Sequence, residues 1–155
     1  MANTFTQLYV HIVFAVKGRQ NLISANNREE LHKYITGIVR GKGQKMIAIF
    51  CMPDHLHMFV GMMPDMSVSD LVRDVKANAS KFINTQQWVL GKFSWQEGFG
   101  AFSYAQSQQD VVVNYILKQK EHHKTKTFKE EYLDILKKFE VDYDERYLFE
   151  WIDVD

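Results

Sequence analysis

Leu8, Val10, Ile12, Phe14 and Val16 alternate with Tyr9, His11, Val13 and Ala15. A period of two predicts a β-strand, and its apolar content on both sides predicts a central one. The period then lengthens. From Asn26 to Gly41, Leu31, Tyr34, Ile35 and Ile38 form a helical stripe that glycines end. Lys45 to Met52 reads as a second strand, Pro53-Asp54 as a turn, and His55 to Met62 as a third strand closed by Pro64. Ser67-Val68-Ser69-Asp70 resembles a capping box with Asp in place of Glu. The helix it opens runs to about Gln87, with Val68, Leu71, Val72, Val75, Ala79, Phe82 and Ile83 as its stripe. Arg73, Lys76 and Ser80 take the opposite face and Lys81 the flank. Phe99 to Ala105 is a fourth strand, Gln109 to Lys124 a third helix, and Thr127 to Phe139 a fourth with Thr127 and Glu130 as a capping box.

This β-α-β-β-α-β order followed by helices predicts an α+β fold of the ferredoxin-like (RRM-like) kind. One antiparallel sheet carries helices on one face, with C-terminal helices added. With 155 residues, 46% hydrophobic and 14% aromatic, the chain suffices for a single domain with a real core. No repeat, low-complexity run or linker divides it. The single cysteine, Cys51, excludes an internal disulfide, and its apolar surroundings predict an inert buried thiol. The polar start, Met1-Ala2-Asn3-Thr4, lacks a signal pattern, and no apolar run reaches membrane-spanning length. The expected location is cytoplasmic.

The net charge of zero hides an asymmetry. Residues 1–139 hold 18 basic and 12 acidic side chains, a balance of +6, whereas residues 140–155 hold 1 and 7, a balance of −6. A basic body leaves room for a phosphate-binding surface. The acidic tail, 140–155, contains Tyr143, Tyr147, Phe149 and Trp151, so it is expected to dock rather than remain solvated.

Candidate chemistry centres on His55-Leu56-His57. On a strand, side chains at i and i+2 share a face, roughly 6–7 Å apart. Both imidazoles can converge on one metal ion while Leu56 enters a core. A pair of hydrogen-bonded core histidines fits the same spacing. In the third helix Tyr115 and Gln119 are spaced i, i+4, at the edge of the apolar face of Val112, Val113, Ile116 and Leu117. Gln119 offers a carbonyl oxygen and Tyr115 a phenol, although packing and solvation are the ordinary uses of both.

Together these segments resemble the single-tyrosine HUH transposases of small bacterial insertion sequences, the IS200-like family. The matching stretches are Leu8–Arg19 (LYVHIVFAVKGR), Met52–Val60 (MPDHLHMFV), Ser67–Lys76 (SVSDLVRDVK), Trp95–Gly98 (WQEG), Tyr115–Gln119 (YILKQ) and Glu121–Glu131 (EHHKTKTFKEE). They follow the family's order across most of the chain. The one departure is Lys118, where members often carry Asn. The resemblance implies that His55, His57 and Gln119 hold a magnesium or manganese ion and that Tyr115 is the nucleophile. It implies cleavage and rejoining of single-stranded, hairpin-bearing DNA through a 5′-phosphotyrosine. It also implies a homodimer in which the tyrosine helix of one subunit can complete the partner's site.

Around that centre, Lys17, Arg19, Arg73, Lys76, Lys81 and His122 are candidate DNA contacts. His122 shares a helix face with Tyr115, and His123 follows it. For both, a favourable place near a helix C-terminus is an alternative. His11 is expected either to line the site or to pack in the core. Trp95 and Phe99 offer base stacking or core packing. Three other functions stay open: a domesticated relative acting on chromosomal repeat hairpins, a non-catalytic nucleic-acid-binding module, and a hydrolytic metalloenzyme. The last would require a carboxylate near the pair. Asp54 is the nearest, and strand alternation turns it to the other face.

Overall fold

A computed structural model of the chain describes residues 3–152. Met1, Ala2 and the last three positions of the acidic tail, Asp153 to Asp155, lie outside the described residues. The elements are β1 (Tyr9–Ala15), α1 (Arg28–Gly41), β2 (Lys45–Cys51), β3 (His55–Gly61), α2 (Val68–Gln86), β4 (Gly100–Tyr104), α3 (Gln109–Leu117), α4 (Gln119–His122) and α5 (Phe128–Lys138). The strands form one antiparallel sheet in the order β2-β3-β1-β4, as expected for a ferredoxin-like fold.

Both faces of the two central strands are buried. On one face Ile12, Phe14, Leu56, Met58 and Val60 pack with α1 (Leu31, Ile35, Val39) and α2 (Leu71, Val75, Ala79, Ile83). The alternation places His11, Val13 and Ala15 of β1, with His55, His57 and Phe59 of β3, on the other face. The C-terminal helices cover that face: Val112 and Ile116 of α3 meet Ala48 and Phe59, and Phe128, Tyr132 and Ile135 of α5 meet Val13 and Ala15. The histidines therefore sit in a second, smaller interior under α3 and α5.

The caps act as the sequence predicts. Ser67 Oγ accepts the Asp70 N–H at 3.0 Å, and Thr127 and Glu130 close a reciprocal capping box. The third helix does not run unbroken from Gln109 to Lys124. It breaks at Lys118, whose φ/ψ of −100/20 separates α3 from the four-residue α4. Part of the acidic tail docks. Phe149 is buried, stacks with Phe128 and packs at a tilt on Tyr132, Trp151 meets the same two rings, and the Glu150 backbone is tied to the Gln96 amide at 2.7 and 2.8 Å. Tyr147 stays 81% exposed. No helix among the described residues is long and apolar enough to cross a membrane.

Candidate metal and nucleophile site

Strand pairing fixes the histidines first. His57 sits opposite Val13 and His55 opposite Ala15, which aims both imidazoles at α5. His57 is fully buried; its Nδ1 lies 2.7 Å from Nε2 of His11 and its Nε2 lies 3.1 Å from Glu131 Oε1. His55, also fully buried, has Nδ1 2.6 Å from Asp54 Oδ1 and Nε2 3.5 Å from Glu131 Oε1. Its ring stacks flat on Phe128, centroid to centroid at 3.9 Å.

Glu131 is the centre of the site. It projects from α5 among Phe128, Tyr132 and Ile135 and is 3% exposed. Oε1 faces His57 and His123, each at 3.1 Å. Oε2 accepts the amide N–H of Gln119 at 2.8 Å and the hydroxyl of Tyr115. Gln119 Oε1 lies 3.3 Å from His55 Nε2 and 3.0 Å from His123 Nε2. Beside them a cavity of about 300 Å³ is lined by His11, Tyr104, Tyr115, His122, His123 and Glu131.

Electrostatics separates His55 from His57. Burial, together with the neighbouring His55 and His123, outweighs Glu131 and keeps His57 below its usual value, hence neutral. Burial alone would do the same to His55. The Asp54 and Glu131 carboxylates override it and raise His55 to about 9. Burial penalises the Glu131 carboxylate, yet His57, His123 and His55 hold it well below the usual carboxylate range. Burial, then the Glu131 charge, push the Tyr115 phenol well above its usual value. His11 is kept neutral by burial and by His57.

The donor set fits a divalent cation. Nitrogens of His55 and His57 and an oxygen of Glu131 lie within 4.8 Å of one another. A cation with bonds of about 2.1 Å holds adjacent ligands roughly 3 Å apart, close to the separations above. The Nδ1 partners, Asp54 and His11, leave each Nε2 directed into the site.

The site brings together His55, His57, Gln119, Tyr115 and His122, whose ring stacks on Tyr115 at 4.8 Å. The other candidate DNA contacts lie elsewhere. Arg73, Lys76 and Lys81 belong to α2, on the opposite face of the sheet. Arg73 pairs with Asp70 and Asp74. Lys76 donates to the carbonyls of Gln96 and Gly98 at 2.8 and 2.6 Å, and burial lowers it to about 8. It anchors the segment before β4 on the face of the sheet away from the histidines. Lys17 is exposed, and Arg19 lines a groove beyond Asp54. Trp95 and Phe99 pack in the α1–α2 core.

Asp54 corrects the expectation drawn from alternation. It lies in the turn before β3, where the alternation does not hold, and its carboxylate reaches His55. His11 both packs and lines the site. Glu131 joins the site in addition to the residues expected from sequence, and the sequence carries a signal for it: a lone carboxylate inside the helical stripe of Phe128, Tyr132 and Ile135. The i, i+4 spacing of Gln119 and His123 was a second signal.

Known proteins resemble the chain in sequence and fold. A family model described as "Transposase IS200 like" matches residues 4–119. The ISDra2 transposase TnpA of Deinococcus radiodurans is 20% identical over 118 residues, 73% of this chain and 84% of that protein. A transposase for insertion sequence element IS200 from Salmonella typhimurium is 28% identical over 105 residues, 60% of this chain and 69% of that protein. Among solved structures, a REP-associated tyrosine transposase bound to a REP hairpin superposes with a TM-score of 0.60 at 16% identity, covering 78% of this chain and 72% of that one.

Proposed function

Since the chain belongs to the IS200-like transposase family, we propose that it cuts and rejoins single-stranded DNA at hairpin-bearing ends, with Tyr115 as nucleophile. The observation that carries this reading is the Tyr115 hydroxyl bonded to Glu131, the carboxylate that also contacts His55 and His57. A phenol, two imidazoles and two side-chain oxygens meet around one small space. A binding module has no need of that assembly.

His55, His57 and Gln119 are the proposed ligands of a magnesium or manganese ion, and Glu131 joins them. Imidazole favours manganese, and the added carboxylate makes the set more hospitable to magnesium. Such an ion supplies charge to polarise the scissile phosphate and stabilise its transition state. Tyr115 then attacks phosphorus. The Tyr115 Oη–P bond forms, the P–O3′ bond breaks, and the proton given up by the phenol ends, net, on the released 3′-hydroxyl. Rejoining reverses the sequence with another 3′-hydroxyl and needs no nucleotide energy source. Burial and the Glu131 charge hold the proton on the Tyr115 phenol, and a cation held by the Glu131 carboxylate would weaken that hold.

Tyr115 stands beside the histidines of its own chain, its ring 6.0 Å from that of His57. That distance supports action in the same subunit, within a monomer or a homodimer. The fold likeness to a REP-hairpin complex favours a second reading, a domesticated enzyme acting on chromosomal repeat hairpins. Incubation with manganese and a hairpin-bearing single strand should yield a DNA adduct that survives denaturation. Tyr115→Phe should abolish it while leaving binding intact. An adduct on Tyr115→Phe, or cleavage insensitive to chelator, would contradict the proposal.

A further inference from the structure

A second cavity, about 810 Å³, opens beside the site and is lined by Arg19, Lys120, Lys124, Lys126 and Lys129. We infer that this groove holds the sugar–phosphate backbone of the single strand flanking the scissile phosphate. The inference rests on the strand-cleavage reading above and names a path for its substrate. Three observations support it.

The first is charge. Five cations face the groove against two carboxylates, Asp54 and Glu130. Asp54 is engaged by His55, and Glu130 is engaged in the α5 capping box. Lys126 pairs with Asp134. Lys120, Lys124 and Lys129 are exposed and have no ion pair among the described residues. Uncompensated lysines along a groove fit a polyanion.

The second is continuity. Asp54 and His123 line the groove and also touch the site, Asp54 through His55 and His123 through Gln119 and Glu131. A backbone lying on the lysines would enter the site at its cation-binding end. The third is an aromatic edge. Trp151 is half-buried, lines the groove and meets Phe128 edge-on at 5.5 Å. An unpaired base stacks on such a ring. The lysines and Trp151 lie beyond residues 4–119, so most of this surface, Arg19 and the turn at Asp54 apart, is built outside the segment that matches the family model.

The test uses the full chain in chelator and a fluorescein-labelled oligothymidylate, with anisotropy followed across salt. Each phosphate contact with single-stranded DNA contributes a salt slope of about 0.7. The triple variant Lys120→Gln, Lys124→Gln, Lys129→Gln should bind about 100-fold more weakly at 0.1 M salt, with a slope smaller by about 2. A charge-matched control on other surfaces, Lys33→Gln, Arg40→Gln, Lys92→Gln, should lose far less. Unchanged binding and slope in the groove variant, or an equal loss in the control, would overturn the groove. So would equally lysine-dependent binding of a blunt duplex. Adduct formation by the unmodified chain on a hairpin substrate is measured in parallel. An adduct with an unaffected groove variant rejects the groove alone, whereas neither binding nor adduct in the unmodified chain rejects the strand-cleavage reading with it.

Discussion

Glu131→Gln keeps the volume of a buried side chain and removes its charge. In the native chain this carboxylate faces His57 and His123 at 3.1 Å and accepts from Gln119 at 2.8 Å and from Tyr115. A hydrogen bond to a charged group contributes about 1.5–3 kcal/mol, a neutral one about 1. Weakening several of these bonds together costs about 3–5 kcal/mol, partly offset because the glutamine is cheaper to bury. The expected loss is about 3 kcal/mol near pH 6. Its pH dependence is diagnostic. Glu131 is held below its ordinary value, so its contribution is present above about pH 4.5 and lost as pH falls, by at most about 1.4 kcal/mol per pH unit. His55 is raised from 6.5 to about 9, so the contribution it shares with Asp54 and Glu131, about 3 kcal/mol in all, is present below pH 6.5 and lost as pH rises through 9. The difference between native and variant chains should therefore be widest from about pH 5 to 6.5 and narrow on both sides. Urea unfolding in chelator, followed by far-UV circular dichroism and compared at matched m-values, measures it. A penalty under about 1 kcal/mol at pH 6, or one that stays flat from pH 4 to 9, would refute the central place given to Glu131.

Other predictions follow from single contacts. Asp54→Asn removes the charged partner of His55 Nδ1 and should weaken manganese binding about 10- to 100-fold by calorimetry, with little change in fold. Gly100→Ala would set a Cβ 2.5 Å from Tyr132 Oη and 2.9 Å from the Phe102 ring, costing about 1–3 kcal/mol in urea unfolding. Adding Tyr132→Phe removes the nearest atom and should recover part of that loss. Burial pushes the Cys51 thiol up to about 12, so in the folded chain it should react with a thiol reagent far more slowly than in urea at the same pH.

The sheet was legible because both central strands combine alternation with near-continuous apolar content, and the helices because their stripes and caps agree. The break at Lys118 was not legible, because Asn114 to His122 holds no Gly or Pro to mark it. His55, His57, Tyr115 and Gln119 could be paired from spacing and family resemblance. Glu131 could not, because its distance from the histidines depends on how α5 docks over the sheet. Strand alternation does not extend to Asp54, because β3 begins at His55 and Asp54 belongs to the turn before it. The basic side chains of α2 read as free charges, yet Lys76 is held by the Gln96 and Gly98 carbonyls, contacts invisible without the loop.

The central claim is that one chain carries both the nucleophile and the cation ligands that serve it. Mixing Tyr115→Phe protein with His57→Ala protein, in manganese and hairpin-bearing single-stranded DNA, tests it directly. Each mixed site either keeps the tyrosine without its histidine or the reverse, so no covalent DNA adduct should form, while the unmodified chain forms one on Tyr115. An adduct restored by mixing would place the nucleophile in the partner's site and contradict the account.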